Sequence, residues 1–213
     1  MLLIGQYDSP FVRRVGIALT LYGMPFRQEG PSVFRNADEI ARHNPLRRVP
    51  TLVLDDGLAL TDSMAILDVL DDMAGRERAL FPVAGRPRWE AQRAAALACG
   101  MAEKAVSLFY ERALHEVTSD LWEQRCIAQI LDTLDRLEAD WAARPGPFWA
   151  GGAIGHADIA MACAWRFTQE AHPGLIPNGR HPHLEALAAR CEALPAFRAV
   201  SQPFSPPARS GRG

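Results

Sequence analysis

Several features that would point directly to a function are missing from this chain of 213 residues. The formal net charge is only −2, so no field of one sign attracts nucleic acid or an anionic membrane. No apolar run approaches the roughly 20 residues of a membrane-spanning helix, and the start of the chain lacks the charged leader of a signal peptide. These absences predict a cytoplasmic protein with neither nucleic acid nor a membrane as partner.

Paired cysteines are missing as well. The four cysteines stand far apart, with no C-x-x-C motif and no histidine at zinc-ligand spacing. Each falls in a predicted helix among Ala, Leu or Ile, where a free thiol behaves as a small buried hydrophobe. We therefore expect no metal, no redox-active pair and no disulfide framework. The residues are Cys99, Cys126, Cys163 and Cys191.

Strand signals are confined to the first third of the chain, although the composition is that of an ordinary globular protein with 48% hydrophobic residues. An Asp-Asp-Gly turn between two short apolar runs predicts a β-hairpin. Helical spacing of apolar residues fills the gaps between the strands. The predicted strands cover 2–6, 26–28, 51–54 and 58–60, and the predicted helices cover 10–22, 36–43 and 63–73.

Beyond residue 87 the sequence shows only helical periodicity. The charged, Gly- and Pro-rich stretch 76–87 predicts a linker between two domains, and a chain of this length suits two compact domains. We predict an α+β domain at 1–75, an all-helical domain at 88–202 and a mobile Pro- and Gly-rich tail at 203–213. The helices of the all-helical domain are expected at 88–115, 119–143, 156–171, 183–194 and 196–201.

Three short segments lie at predicted junctions between strands and their neighbours. In Ser9-Pro10-Phe11 the proline suits the first position of a helix, where its missing N–H is not needed. Val49-Pro50-Thr51 places a proline directly before a strand. Asp62-Ser63 opens a helix, and the free N–H groups and positive dipole end of a helix start suit an anion.

In a β-α-β-α-β-β-α order, these three segments resemble the thioredoxin-like half of cytosolic glutathione transferases. The resemblance continues through the helical remainder and so covers nearly the whole chain. It implies an N-terminal thioredoxin-like domain, an all-helical C-terminal domain and a homodimer. It also implies glutathione as co-substrate and a small hydrophobic electrophile as second substrate. The implied reactions are conjugation or glutathione-dependent peroxide reduction, as in detoxification.

The resemblance implies that Ser9 stabilises the glutathione thiolate, with Tyr7 as an alternative hydroxyl donor. A free thiol titrates near pH 8.5, and lowering its pKa by about two units needs roughly 2.7 kcal/mol. A hydroxyl donor and a helix dipole together can supply this. Since Ser9 stands where some relatives carry cysteine, mixed-disulfide chemistry is disfavoured.

The other segments are implied to hold the glutathione peptide. Val49, ahead of a cis-Pro50, would offer its backbone to the cysteinyl part as an added strand does. Ser63 would bind the γ-glutamyl carboxylate and Asp62 the ammonium group, while Arg48 could contact a carboxylate. The electrophile is expected to meet aromatic side chains of the first helix and of the long helix, namely Phe11, Phe109 and Tyr110.

Each of these residues also has a purely structural interpretation. Ser9 before Pro10 makes a good N-cap, and either Asp62 or Ser63 can cap its own helix. Pro50 can simply begin a strand.

Two other functions stay open beside the transferase. One is a non-catalytic glutathione-binding or regulatory protein with the same fold. The other is a zeta-like isomerase, although the paired serines and cysteine of that class are missing from the first turn. In the helical part, Asp158 is expected to serve folding as half of a capping box, and His156 to be a polar residue of that cap.

Overall fold

The structure, a computed structural model, describes residues 1–30 and 36–206. Within these residues the chain forms four strands and eight helices. The order is β1 (Leu2–Ile4), α1 (Pro10–Tyr22), β2 (Arg27–Glu29), α2 (Ala37–Ala41), β3 (Thr51–Val53), β4 (Ala59–Thr61), α3 (Ser63–Ala74), α4 (Gly85–Leu114), α5 (Asp120–Ala142), α6 (His156–Ala171), α7 (Pro182–Glu192) and α8 (Pro195–Ala199). A thioredoxin-like unit followed by an all-helical unit is thereby confirmed.

The four strands form one mixed sheet in the order β2-β1-β3-β4. β1 runs parallel to β2 and antiparallel to β3, and β3 and β4 form the predicted hairpin. The register places Ile4 opposite Thr51, and Thr51 opposite Thr61. These three residues form one row across the sheet, and the chain segments just beyond that row leave the sheet at the same edge.

α1 begins and ends where its sequence predicts. Pro10 occupies the first helical position after Ser9, and Gly23 ends the helix in the left-handed conformation with φ +66°. One face of α1 and one face of α3 pack on the sheet in a single apolar cluster. Its fully buried members include Leu3, Val12, Val15, Leu19, Leu52, Ile66, Leu67 and Leu70.

The helical domain is built around α4 and α6. The buried face of α4 is mostly alanine, which lets the two backbones approach closely. α6 is buried on nearly all sides, as its apolar composition requires of a central helix. Of the helices described above, none combines the length and the apolar character that crossing a membrane requires.

α4 begins at Gly85, three residues earlier than its pattern predicts. Pro87 is tolerated there because the N–H groups of a first helical turn have no intrahelical partner. Within the predicted linker, Phe81 is 2% exposed, and the N–H groups of Leu80 and Phe81 donate to Asp71 on α3. The carbonyl of Leu80 also accepts from the N–H of His156 on α6 at 3.2 Å. This part of the segment is therefore fixed to both halves of the molecule, while the domain boundaries themselves stay a prediction.

The start of α6 confirms the expected half capping box. Gly155 has no side chain to donate or accept, but Asp158 accepts hydrogen bonds from the N–H groups of Gly155 and Trp149 at 2.9 and 2.8 Å. His156 Nε2 donates to the buried carboxylate of Asp71 at 2.9 Å, because a carboxylate only accepts. Both residues are fully buried and serve the fold.

Candidate functional site

The three segments singled out in the sequence come together at one edge of the sheet. Beyond the row of Ile4, Thr51 and Thr61 lie the turn 5–9, the dipeptide Val49-Pro50 and the dipeptide Asp62-Ser63. Because β1, β3 and β4 are neighbours, these segments surround a common space. Each segment is predicted from the sequence around it, and the observed strand register explains why the three segments lie close together.

Gly5 allows two of these segments to touch. It has φ +132°, and a Cβ atom there would lie 2.4 Å from Cγ2 of Val12 and 2.9 Å from Cβ of Val49. Any other residue would push the loop of Val49 away from the first turn. The close approach therefore depends on glycine at this position.

Ser9 is the N-cap of α1, as the structural interpretation predicts. Its Oγ accepts a hydrogen bond from the N–H of Val12 at 3.4 Å, which is long for such a bond. The side chain is half-buried. Because the cap uses only a lone pair of Oγ, the hydroxyl hydrogen is still available to a ligand. Capping and thiolate stabilisation are thus compatible in this geometry.

Tyr7 faces the helical domain. Its ring lies against Gly16 of α1, where a Cβ atom would come within 3.0 Å of Tyr7 Cε1, and its N–H donates to Gln202 Oε1 at 2.8 Å. Burial raises the pKa of the Tyr7 hydroxyl. The group therefore stays protonated at neutral pH and can act as a donor, but it is not suited to be a base.

The peptide bond between Val49 and Pro50 is cis. The loop before it is held by Asn44, which is 2% exposed. Its Nδ2 donates to the carbonyl of Arg48 at 2.8 Å and its Oδ1 accepts from the N–H of Leu46 at 3.0 Å. Asn44-Pro45 is a turn signal in the sequence and ends the predicted helix 36–43, but the hydrogen bonds by which Asn44 holds this loop could not be predicted from it.

The remaining groups of this loop differ in exposure. Pro50 is buried and Val49 half-buried, whereas Arg48 is exposed. The side chain of Arg48 is therefore accessible to solvent, whereas Val49 and Pro50 are packed against the rest of the domain.

At the start of α3 the side chains of Asp62 and Ser63 have different roles. Asp62, with φ +70°, caps the helix because its Oδ1 accepts from the N–H groups of Met64 and Ala65 at 2.8 and 3.4 Å. Ser63 is the first helical residue and is 4% exposed. Its side chain does not cap the helix, so the capping interpretation holds for Asp62 and is wrong for Ser63.

Ser63 instead contacts a residue that sequence reasoning missed. Nη1 of Arg14 lies 3.3 Å from Ser63 Oγ. Arg14 belongs to α1 and is 1% exposed. A buried arginine on a helix is indistinguishable from a surface arginine by periodicity alone, and only the doublet Arg13-Arg14 on the apolar face of α1 hints at it.

The three aromatic residues expected at the electrophile pocket lie in different parts of the structure. Burial raises the pKa of the Tyr110 hydroxyl, with the negative charge of Asp8 adding to the effect and the positive charge of Arg48 opposing it. Tyr110 therefore lies near the first turn and the loop of Val49. Phe11 packs against the helical core from α1.

Phe109 faces the C-terminal segment 201–206. The ring of Phe204 packs edge-on against Phe109, with centroids 5.2 Å apart, and against Phe167 at 5.8 Å. Phe109 also lines a cavity of about 640 Å³ with Arg112, His172, Leu175 and Pro206. The residues described around this cavity do not include Phe11 or Tyr110, so the three aromatic residues do not line one described cavity.

The segment 201–206 passes over the first turn. Gln202 accepts from the N–H of Tyr7, as noted, and the N–H of Ser205 donates to Asp8 at 3.3 Å. Residues 203–206, which the sequence assigns to a mobile tail, thus make specific contacts with the site. The rest of that predicted tail, 207–213, lies outside the described residues.

In the described ranges, no group of three or more His, Cys, Asp or Glu is arranged to hold a metal ion. The polar groups at this edge of the sheet are hydroxyls, backbone amides, the carboxylates of Asp8 and Asp62, and the arginines Arg14 and Arg48.

Family models match both halves of the chain. Residues 3–78 match the glutathione S-transferase N-terminal domain, and residues 120–200 match the glutathione S-transferase C-terminal domain. The chain belongs to the glutathione S-transferase family.

Individual relatives agree with this family. The fold is similar to a glutathione S-transferase from Methylobacterium radiotolerans in complex with glutathione sulfonate, with a TM-score of 0.87, 29% identity, and coverage of 96% of this chain and 97% of the other. A probable glutathione S-transferase of rice, Oryza sativa subsp. japonica, is 29% identical over 202 residues, covering 90% of this chain and 84% of its own. A probable maleylacetoacetate isomerase of Vibrio cholerae is 26% identical over 219 residues, covering 98% of both.

Proposed function

We propose that the protein is a glutathione transferase that binds reduced glutathione at the edge of the sheet and activates its thiol. The second substrate is a small apolar electrophile, which the thiol attacks or reduces. The observation that carries this proposal is the strand register. It brings the segments that carry Ser9, Val49 and Ser63 to the same end of the sheet.

The peptide is held along its length by separate groups. The Val49 backbone pairs with the cysteinyl residue as an added strand does. The second oxygen of Asp62 takes the γ-glutamyl ammonium group, because only Oδ1 accepts the capping bonds. Ser63 takes the γ-glutamyl carboxylate, and the exposed Arg48 serves a carboxylate at the mouth of the cleft.

Ser9 stabilises the thiolate by donating its free hydroxyl hydrogen to sulfur. The cap bond from Val12 N–H polarises the same oxygen, and the positive end of the α1 dipole adds to the effect. In conjugation the thiolate sulfur then bonds to the electrophilic carbon and the leaving group departs with the displaced electron pair. Tyr7 is the alternative donor, since its hydroxyl stays protonated.

The electrophile lies where Tyr110 approaches the first turn, and this half-buried ring offers it an apolar surface. Phe11 packs against the helical core and Phe109 lines a different cavity, so neither is assigned to this surface. The protein acts in the cytoplasm in this proposal, in keeping with four free cysteines.

We further propose a homodimer. Large apolar side chains remain exposed on two neighbouring helices, Met73 at the end of α3 at 50% and Trp89 at the start of α4 at 62%. Light scattering tests this proposal, and Trp89→Glu should shift the mass toward the monomer.

An isomerase is the second candidate, supported by the similarity to the Vibrio cholerae protein. Both functions need bound glutathione. In the isomerase, the thiolate of glutathione adds to a conjugated double bond of the substrate, and glutathione is released unchanged after the bond has rotated. The non-catalytic alternative binds glutathione without thiol activation.

The test is calorimetric titration with reduced glutathione in the millimolar range, followed by conjugation of an activated aryl halide. Saturable heat together with consumption of the thiol supports the transferase. Saturable heat with catalysed isomerisation of a cis-dicarbonyl alkene, and no thiol consumed, supports the isomerase instead. A flat titration contradicts every glutathione-dependent function.

A further inference from the structure

Among the described residues, no carboxylate forms an ion pair with Arg14, which is a buried cation. Its side chain is 1% exposed. Nη1 lies 3.3 Å from Ser63 Oγ, 3.3 Å from Met64 Sδ and 2.6 Å from Cys99 Sγ. Within residues 1–30 and 36–206, Nε and Nη2 are buried and have no hydrogen-bond partner.

This arrangement is unfavourable for the protein alone. A guanidinium keeps its charge in any protein environment, so Arg14 cannot escape burial by losing a proton. A buried charge is tolerated when it is paired and is costly when it is not. The arrangement therefore indicates a charge whose partner arrives from outside the chain.

Neighbouring groups do not supply the missing negative charge. Burial raises the pKa of the Cys99 thiol despite the opposing charge of Arg14, so the thiol stays neutral. Asp62 and Glu103 are the acids whose charges reach Cys99. Both are exposed, and Asp62 Oδ1 is occupied by the helix cap.

The contact with Arg14 also fixes the direction of the Ser63 hydroxyl. A guanidinium only donates, so Ser63 Oγ must accept from Arg14. The hydroxyl hydrogen of Ser63 then points elsewhere, and it can donate to an anion at the start of α3. A hydroxyl polarised by a cation on one side is a stronger donor on the other.

We propose that Arg14 is a positioning residue for anion recognition at Ser63, and that the anion is the α-carboxylate of the γ-glutamyl group. This inference rests on the proposed function and deepens it. Arg14 supplies the countercharge from behind the cleft wall, and Ser63 transmits it as a directed hydrogen bond. Selectivity for a ligand with a carboxylate at this end then comes from a side chain buried in α1.

The experiment compares two ligands. One is reduced glutathione, and the other is 4-aminobutyryl-cysteinylglycine, which is glutathione without its α-carboxylate. Each is titrated by calorimetry into the wild-type protein, Arg14→Met, Arg14→Lys and the control Arg86→Met, which removes an exposed arginine on α4. Melting curves of all four proteins are recorded beside the titrations.

We expect Arg14→Met to weaken glutathione binding at least tenfold and to change the affinity for the decarboxylated peptide less than twofold. Arg14→Lys should recover most of the glutathione affinity, because lysine keeps the positive charge. Recovery should be incomplete, because lysine lacks the planar guanidinium group. Arg86→Met should match the wild type with both ligands. The pKa of the bound thiol should not move in any variant, because Arg14 acts at the α-carboxylate of the γ-glutamyl residue and not at the cysteinyl residue that carries the thiol.

Two results would overturn the inference. In one, Arg14→Met binds glutathione as the wild type does. In the other, it loses affinity for both peptides equally, which would mean that Arg14 only supports the fold. Should Arg14→Met fail to fold, Arg14→Gln provides the same test with a neutral side chain that still reaches Ser63. If the wild type itself does not bind glutathione, the proposed function fails, and the inference with it, before any variant is compared.

Discussion

Arg13 and Arg14 are consecutive residues of α1, and both are buried, yet their surroundings are opposite. Arg13 forms a two-pronged ion pair with Glu192, at 2.5 and 2.7 Å, and donates to the carbonyls of Val200 and Phe197. Arg14 meets one hydroxyl and two sulfur atoms, and two of its nitrogens have no partner among the described residues.

The difference separates structure from recognition. Arg13 joins α1 to the end of the helical domain, and its hydrogen-bonding groups are used within the chain. Arg14 reaches from α1 to Ser63 at the start of α3, where we propose that the γ-glutamyl group binds. The hydrogen bonds of Arg13 hold the fold together, whereas Arg14, with two nitrogens unpartnered among the described residues and Ser63 beside it, is the basis for a proposed role in ligand binding.

A second buried cluster, around Asp71, resembles Arg13 in that its hydrogen bonds are made within the chain. Asp71 accepts from the Tyr22 hydroxyl, His156 Nε2 and the N–H groups of Leu80 and Phe81. It thereby ties α1, α3, the segment before α4 and α6 to one carboxylate. The comparison predicts that changes in these two clusters affect stability, and that changes near Ser63 and Ser9 affect the ligand.

The largest effect is expected for Asp71→Asn. An amide cannot accept from four donors, so buried donors lose their partner and unfolding should become easier by about 3 kcal/mol. Urea denaturation at neutral pH measures this. Asp72→Asn is the matched control, because Asp72 is the exposed neighbour on the same helix. A loss below about 1 kcal/mol would contradict the structural role of this cluster.

The same variant carries a pH signature. Burial alone would raise the pKa of Asp71, but hydrogen bonds from His156 and Tyr22 outweigh it and hold the pKa below its usual value. A depressed folded-state pKa stabilises the protein above the unfolded value of about 4, and this contribution is lost as the pH falls through the folded value. The stability difference between wild type and Asp71→Asn should therefore shrink below pH 4.

Glu192→Gln should have the next largest effect. It leaves Arg13 buried beside a neutral amide, and we expect a loss of about 2 kcal/mol, less than for a fully buried pair because Glu192 is 33% exposed. Glu185→Gln on the same helix is the control, being exposed. Glutathione affinity should be unchanged in both variants. A Glu192→Gln protein that keeps its stability but binds glutathione more weakly would contradict the assignment of Arg13 to stability.

Ser63→Ala should leave stability nearly unchanged and weaken glutathione binding by about 1.5–2 kcal/mol, the size of one hydrogen bond to a charged group. Since the carboxylate is held equally in ground and transition states, the apparent KM for glutathione should rise while kcat stays nearly constant. Steady-state kinetics separate the two parameters. An unchanged KM would limit Ser63 to packing against Arg14.

Ser9→Ala should lower stability by less than about 1 kcal/mol, because its cap bond is long. Loss of the hydroxyl donor should raise the pKa of enzyme-bound glutathione, so conjugation slows at neutral pH and the deficit shrinks as the pH rises. Thiolate absorbance against pH reports this directly. An unshifted thiol pKa would transfer the role to Tyr7.

Much of the fold follows from local sequence signals. Pro10 and Gly23 bound α1, Ser119 caps α5, and the Asp-Asp-Gly turn joins β3 to β4. These signals act within a few residues of the chain. The start of α4 was predicted too late, because Gly85 and Pro87 resemble linker residues although the first turn of a helix tolerates both.

Less of the site could be predicted, because its organisation depends on contacts between distant residues. The meeting of Ser9, Val49 and Ser63 was inferred through a family resemblance, and the strand register explains it. The unpaired state of Arg14 depends on α1, α3 and α4 together. The position of Phe204 over the first turn depends on a segment almost 200 residues away, which composition alone assigned to a mobile tail.

A crystal structure of the complex with reduced glutathione tests the central claim most directly. The measurement is the position of the γ-glutamyl α-carboxylate. We predict that it lies within hydrogen-bonding distance of Ser63 Oγ, on the side away from Arg14, at the start of α3. A bound glutathione whose γ-glutamyl carboxylate lies at Arg48 or in solvent, with Ser63 contacting only Arg14, would contradict the account.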